Sequence, residues 1–284
     1  SIHYDEPLEN LRFKVVYVEH HLAHIASAYF VSPWESAAGI SVDGSGDFVT
    51  CMMSYCQGHN ILVKRKIFVP HSLGVFYTAI CQFIGYESYG DEGKVMGLAP
   101  LGNNTYADLM EKVVREKNNG FKINTDYLAS LGVNQGMSIS KNGSVTVEPQ
   151  YSIKLVNDLG LPRKKNDALT QRDMDLACSL QHRFEQVYLH MINLLSGLVP
   201  ERRVAIAGGC ALNSVANGKI FQATSFTQTC IQPAAGDDGL ALGSALFASN
   251  SLLREGKRWV MENAFLGPEF SDIEIESTLN KMRV

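Results

Sequence analysis

A chain of 284 residues, 45% hydrophobic and 19% charged with a formal net charge of -4, is long enough to bury a large core and too apolar for a disordered or solvating role. The mild acidity and the lack of a basic stripe argue against a nucleic-acid partner, because Lys64-Arg65-Lys66 and Arg163-Lys164-Lys165 are short, separate clusters that read as solvated charge. Six cysteines without a CxxC pair point to reduced, buried thiols, and with neither a membrane-length apolar run nor a signal-peptide pattern the expectation is a cytoplasmic protein without membrane contact.

In chain order, the β-branched run Phe13 to Val18 predicts a strand that feeds into a helix at His20, where Leu22, Ile25, Ala26 and Tyr29 keep helical spacing until Pro33. Ala37 to Val42 and Phe48 to Tyr55 predict two strands joined by Asp43-Gly44-Ser45-Gly46-Asp47, and Ile61 to Val69 completes a meander. Gly74 to Ile84 has helical periodicity, and Gly85 to Gly93 is turn-rich. From Gly102 to about Lys165 the sequence turns polar and loses sustained periodicity, which reads as an insertion over or beside the site. Asp173 to Leu198 predicts a long amphipathic helix with Leu176, Leu180, Phe184, Val187, Met191 and Leu194 on one face. Strand Arg203 to Ala207, helix Leu212 to Phe221, strand Phe226 to Gln232 and helix Gly239 to Leu253 then form a β-α-β-α unit. The expected organisation is a core over residues 1–259 with a variable insertion at 102–170, followed by a linker at 260–284.

The chemistry concentrates at four motifs. On a helix His20 and His24 share a face, so both imidazoles can address one divalent ion, although a bare pair at this spacing also arises by accident. His21 stands where zinc peptidases of the H-E-x-x-H type carry glutamate, which disfavours that chemistry and leaves either an acid/base role or a histidine satisfied by a neighbour. Asp43-Gly44-Ser45-Gly46-Asp47 has the composition of a phosphate-cradling loop, although in isolation a plain β-turn is the better reading. Gly208-Gly209-Cys210-Ala211-Leu212-Asn213 lies between strand and helix, where bare backbone approaches ligands, but departs from G-x-G-x-x-G. Ala235-Gly236-Asp237-Asp238-Gly239 sets two carboxylates at a strand end, and one of them alternatively caps the next helix.

H-H-x-x-H, D-G-x-G-D, G-G-x-A-L-N and A-G-D-D-G occur in that order, with Pro70-His71-Ser72-Leu73-Gly74, Gly93 to Pro100 and Phe265-Leu266-Gly267-Pro268 among them. Together they resemble the O-carbamoyltransferases of the nodulation and antibiotic-biosynthesis type. That family's α/β core is an actin-like ATPase (ribonuclease H-like) fold similar to the tRNA threonylcarbamoyl-transferring protein.

The resemblance implies that His20, His24, Asp43 and Asp237 bind a divalent metal, iron(II) in the family, with zinc and manganese open on donor chemistry. It implies that Gly208, Gly209 and Asn213 line adenosine and that Gly44, Ser45 and Gly46 face phosphate. Lys94 either neutralises an anion or pairs with Asp91 or Glu92, His71 is a substrate-pocket residue, and His21 can take the acceptor's proton. The implied reaction makes carbamoyl adenylate from carbamoyl phosphate and ATP in a separate synthase-like domain, then transfers the carbamoyl group to a hydroxylated small-molecule acceptor. No phosphate-loop hairpin precedes Phe13 and the chain stops at Val284, so the core is expected to be incomplete at its N-terminus and unable to make carbamoyl adenylate unaided. A homodimer is the default expectation. An actin-like kinase or ATPase and a non-catalytic nucleotide-binding module are the rival readings, and neither gives the histidine pair a task.

Overall fold

The computed structural model describes residues 15–129, 137–139, 145–254 and 258–282. Helix α1 spans His20–Tyr29, and strands β1 (Ser36–Gly46), β2 (Val49–Gln57) and β3 (Asn60–Phe68) follow as a meander. Helices α2 (Leu73–Phe83), α3 (Glu92–Leu98) and α4 (Ala107–Val113) come next, then the hairpin β4 (Val114–Lys117) and β5 (Gly120–Ile123). A second hairpin, β6 (Met137–Ile139) and β7 (Val145–Val147), precedes α5 (Ile153–Leu159) and the 28-residue α6 (Gln171–Leu198). Strand β8 (Arg203–Ala207), short helices α7 (Ser214–Asn217) and α8 (Ile220–Ala223), strand β9 (Gln228–Ile231), α9 (Leu240–Phe247) and α10 (Asp272–Met282) complete the order.

The main sheet runs β3-β2-β1-β8-β9. Strand β2 is antiparallel to β1 and β3, whereas β1 pairs with β8, and β8 with β9, in parallel. Strand β2 therefore runs against the other four. Successive side chains of a strand point to opposite faces, and here the alternation feeds two cores. Ala38, Ile40 and Val42 of β1, Cys51 and Met53 of β2, and Val204 and Ile206 of β8 pack with α2 and α6. Ala37, Met52, Cys56, Ala205 and Ala207 face the other way, onto Ile25, Ala26, Ala28 and Tyr29 of α1. The result is a three-layer α/β arrangement with α1 on one face and α2 and α6 on the other.

Helix α6 begins on Thr170 and Asp173, whose carboxylate accepts the Thr170 N–H at 2.9 Å and its hydroxyl at 2.7 Å. The polar stretch after Gly102 packs against α6: Met110, Val113, Val114, Phe121, Ile123, Tyr127, Leu128 and Leu155 belong to the larger core. Arg183, buried on α6, holds Glu116 of β4 at 2.9 Å.

Four sequence expectations are corrected here. The described part of the first expected strand, 15–18, has no strand pairing, and Tyr17 is 92% exposed; β-branched residues form a strand only where a ladder partner meets them. Phe13 of that stretch lies outside the described residues. Strand β1 extends through Gly46, so the turn is Asp47-Phe48, both at positive φ (51° and 64°), as a two-residue hairpin turn requires. The single helix expected over Leu212 to Phe221 is broken into α7 and α8 at Gly218-Lys219. Finally, α9 ends at Phe247 and passes into a π-helical turn, Ala248–Leu253.

The segment after α9 returns to α1. Arg258 donates to the carbonyls of Tyr29, Ser32 and Trp34 at the helix C-terminus, and the Met261 N–H donates to Val31 at 2.9 Å. Helix α10 carries no buried residue. Among the described residues no helix is long and apolar enough to cross a membrane.

Candidate metal centre

The cluster is built at the N-terminus of α1. The His20 N–H, first of the helix, donates to Asp47 Oδ2 at 2.9 Å, so a carboxylate from the hairpin turn caps the helix that carries both histidines. One helical turn separates His20 from His24, and their Nε2 atoms lie 3.0 Å apart. Asp43 sits where the β1–β2 register shifts between Val42 and Gly46, with Oδ2 3.1 Å from His20 Nε2 and 3.0 Å from His24 Nε2. Asp237, in the turn between β9 and α9, brings Oδ1 to 3.5 Å from both imidazoles. One donor atom from each of the four residues lies within 4.8 Å of the others.

These distances suit donors around a single cation, for which metal–ligand bonds of about 2.0–2.2 Å are usual with imidazole and carboxylate. Burial works against a charged His24, but hydrogen bonds to Asp237 and Asp43 outweigh it and raise its pKa above the ordinary value. Burial likewise opposes the Asp43 carboxylate, yet the hydrogen bonds with His20 and His24 hold it well below the usual carboxylate range. The cluster thus favours a positive charge at its centre. The side chain of His24 is 0% exposed, Asp43 14% and His20 16%, against 52% for Asp237, so access is from the Asp237 side.

The motif glycines and their neighbours support the cluster in ways that the sequence did not specify. Asp43 Oδ1 accepts the N–H of Gly44 at 2.7 Å and of Gly209 at 3.1 Å, which turns Oδ2 toward the histidines. Ser72, the N-cap of α2, donates to the Gly44 carbonyl at 2.6 Å and accepts the Val75 N–H at 3.0 Å, anchoring the backbone beside Asp43. At Gly46 a β-carbon would overlap the His20 ring. Gly208 has φ of 89°, and a β-carbon there would overlap the Val42 carbonyl, so only glycine brings β8 this close to the end of β1. Glu19, next to His20, pairs with Lys66 at 2.8 Å.

The structure brings the donor atoms of His20, His24, Asp43 and Asp237 together, with Gly44, Gly46 and Gly209 against them, and turns the remaining expected site residues to other partners. His21 is fully buried, with Nε2 2.8 Å from the Val49 carbonyl and Nδ1 2.9 Å from Ser41 Oγ. Burial pushes its pKa down to about 4. Both ring nitrogens being occupied, the expected proton-accepting role is corrected: His21 ties α1 to β1 and β2.

Gly44, Ser45 and Gly46 belong to β1 rather than to an open phosphate loop. The Gly44 amide, expected to face phosphate, is turned to Asp43, as is that of Gly209, and the Gly208 N–H donates to the Ala235 carbonyl at 2.8 Å. Asn213 is buried: its Oδ1 accepts the Ala216 N–H and Gln181 Nε2, each at 3.0 Å, and its Nδ2 donates to Gln181 at 2.9 Å. It caps α7 and joins that helix to α6. Lys94 pairs with Asp91 at 2.6 Å, while Glu92 accepts from Thr78, which selects the ion-pair alternative. His71, partly buried, lines a different cleft, and burial followed by the charge of Lys122 lowers its pKa.

With this geometry in hand, residues 8–246 match the family described as Carbamoyltransferase N-terminus. The chain is 35% identical over 273 residues to sll1178 of Synechocystis sp., covering 93% of this chain and 42% of that protein. It is 32% identical over 269 residues to the nodulation protein NolNO of Sinorhizobium fredii, covering 94% of this chain and 36% of that protein. A full-length HypF crystal structure in the phosphate- and nucleotide-bound form aligns at 15% identity with a TM-score of 0.42, covering 88% of this chain and 38% of that one. The chain spans about two fifths of the length of the curated relatives it matches. The family match over most of its length, with a relative above 30% identity across nearly all of it, places this chain in the carbamoyltransferase family, within its N-terminal portion.

Proposed function

We propose that this chain is the acceptor-side core of a carbamoyltransferase, in which His20, His24, Asp43 and Asp237 hold a divalent cation. The observation that carries the reading is the convergence of those four donors from three distant parts of the chain. Family membership supplies the reaction class, and a hydroxylated small molecule is the proposed acceptor. The donor would be carbamoyl adenylate, formed from carbamoyl phosphate and ATP elsewhere in the full protein. The sheet order, with β2 reversed against four other strands, supports an actin-like ATPase (ribonuclease H-like) core.

A bound cation would supply Lewis acidity toward the carbamoyl carbonyl. The chain's own residues prepare the position. Gly44 and Gly209 orient Asp43, His21 fixes the ligand helix against the sheet, and the exposed Asp237 marks the side from which substrate enters. The β8 and β9 termini, with Gly208, Gly209 and Asp237, form the crevice at strand C-terminal ends where open α/β folds take their ligands, and adenosine belongs there. Iron(II) is the expected cation, and the mixed imidazole and carboxylate set also accommodates zinc or manganese.

Metal analysis of the purified protein tests the reading. One equivalent of a divalent transition metal is expected, lost in both His20→Ala and His24→Ala. A metal-free parent protein that cannot be loaded with iron, zinc or manganese sinks it. Transfer of label from carbamoyl phosphate to hydroxylated acceptors by the full-length protein, abolished in the same variants, then tests the chemistry.

A further inference from the structure

A cleft of about 350 Å³ lies between the end of β3 and the β4–β5 hairpin and includes none of the four metal-centre donors. Its polar lining is Lys66, Lys117, Lys122, His71 and Asn119, over an apolar floor that includes Phe121, and no carboxylate lines it. Lys66 is committed to Glu19 at 2.8 Å. The hairpin's own acid, Glu116, is held by Arg183 at 2.9 Å. Among the described residues Lys117 and Lys122 form no ion pair.

The hairpin register concentrates the positive charge. Lys122 stands directly opposite Arg115, and Lys117 stands opposite Gly120. Residues two apart on a strand share a face, so Arg115, Lys117 and Lys122 lie on one face of the ribbon. Like charges directly opposite one another across a ladder destabilise it unless an anion compensates them. Gly120, without a side chain, lets Ile67 pack against the hairpin, where a β-carbon would lie 2.7 Å from its Cδ1. On the facing wall, His71 Nδ1 accepts the Ile123 N–H at 3.4 Å, which leaves Nε2 as the ring's N–H donor.

We infer that this cleft binds the phosphoryl group of a small molecule, with Lys117 and Lys122 as its point charges and His71 as a neutral donor. Lysine is suited to phosphate as a compact charge with three rotatable donors. The cleft volume accommodates a small phosphorylated metabolite rather than a polymer. The site goes beyond the proposed transfer reaction and does not depend on it.

Titration of the protein with inorganic phosphate, followed by calorimetry, tests the assignment. Saturable binding that weakens with added salt is expected, and Lys117→Met and Lys122→Met should each weaken it about tenfold, the worth of one charge-assisted hydrogen bond. Both lysines are exposed, so methionine retains the stem and leaves the core untouched. Acetate at equal concentration should not displace phosphate, and His20→Ala, which disables the metal centre, should bind phosphate as the parent does. Absent saturation, unchanged affinity in both lysine variants, displacement by acetate, or loss of binding in His20→Ala would each overturn it; the last assigns the phosphate to the metal centre instead. A parent protein without metal that still binds phosphate leaves this inference standing while the metal-centre reading fails.

Discussion

The Gly209 N–H donates to Asp43 Oδ1 across 3.1 Å, linking the turn after β8 to the end of β1. Together with the Gly44 amide it decides which carboxylate oxygen meets the histidines. Asp43→Asn should therefore do more than remove a charge. The carboxamide oxygen will take the two amide donors, leaving its NH₂ aimed at the cation position, where it repels a metal. Loss of stoichiometric metal with an unchanged circular dichroism spectrum is expected; retention of a full equivalent would show that Asp43 is no ligand.

Gly46→Ala tests positioning rather than ligation. Its β-carbon would overlap the His20 ring, so the imidazole must leave its place. Displacing an orienting group typically lowers metal affinity by about 10- to 100-fold. Competition with a chromophoric chelator measures this, and an affinity equal to the parent's contradicts the geometry.

Glu116 gives a pH signature remote from the metal centre. Burial works against its charge, but the hydrogen bonds with Arg183 outweigh that and lower its pKa below the ordinary glutamate value of 4.5. A depressed folded-state pKa stabilises above the unfolded value and loses that contribution as pH falls through the folded one. The parent should exceed Glu116→Gln by about 1 kcal/mol at neutral pH, a figure discounted because Glu116 is one-third exposed. Below pH 4.5 the gap in urea midpoints should close. A gap independent of pH would refute the linkage.

Arg258→Ala addresses the strap across α1. Its guanidinium satisfies the carbonyls of Tyr29, Ser32 and Trp34 and lies 4.2 Å from the Tyr29 ring centroid. Removing it strands partly buried acceptors, at a cost of about 2 kcal/mol. Chemical denaturation should register that loss; a midpoint equal to the parent's would mean that solvent replaces the guanidinium without penalty.

Much of the scaffold was readable because its elements are long and strongly periodic. Strand Arg203–Ala207 has the expected bounds, and α6 begins two residues before Asp173 because Thr170 caps it. The helical spacing that placed His20 and His24 on one face depends on sequence alone, and the meander follows from alternation. The rest depends on contacts between distant segments. Phe13 to Val18 has strand composition, but nothing local reveals whether a ladder partner exists. The glycines after Asp43 fit both a phosphate loop and a plain turn in sequence, and only folding shows that Gly44 turns its N–H back to Asp43. For Asn213 and His21 the sequence leaves chemistry and a structural partner both open, and only the fold shows Gln181, Ser41 and Val49 as their partners. Ser72 lies in the Pro70 to Gly74 motif and before a helix, where an N-cap residue is expected, but neither signal gives its bond to the Gly44 carbonyl.

The Asp47 cap and the Arg258 strap acquire a further meaning when α1 is treated as an electric dipole. Its peptide units place partial positive charge at the His20 end and partial negative charge at the Tyr29 end. A cation gathered by the first turn meets an unfavourable potential. Asp47 on the first amide and Arg258 on the last carbonyls each oppose that field at its own terminus. In the proposed metal site Asp47, which is not one of its four donors, would offset the helix field at the His20 end, and neutralising it would weaken the hold on a cation there.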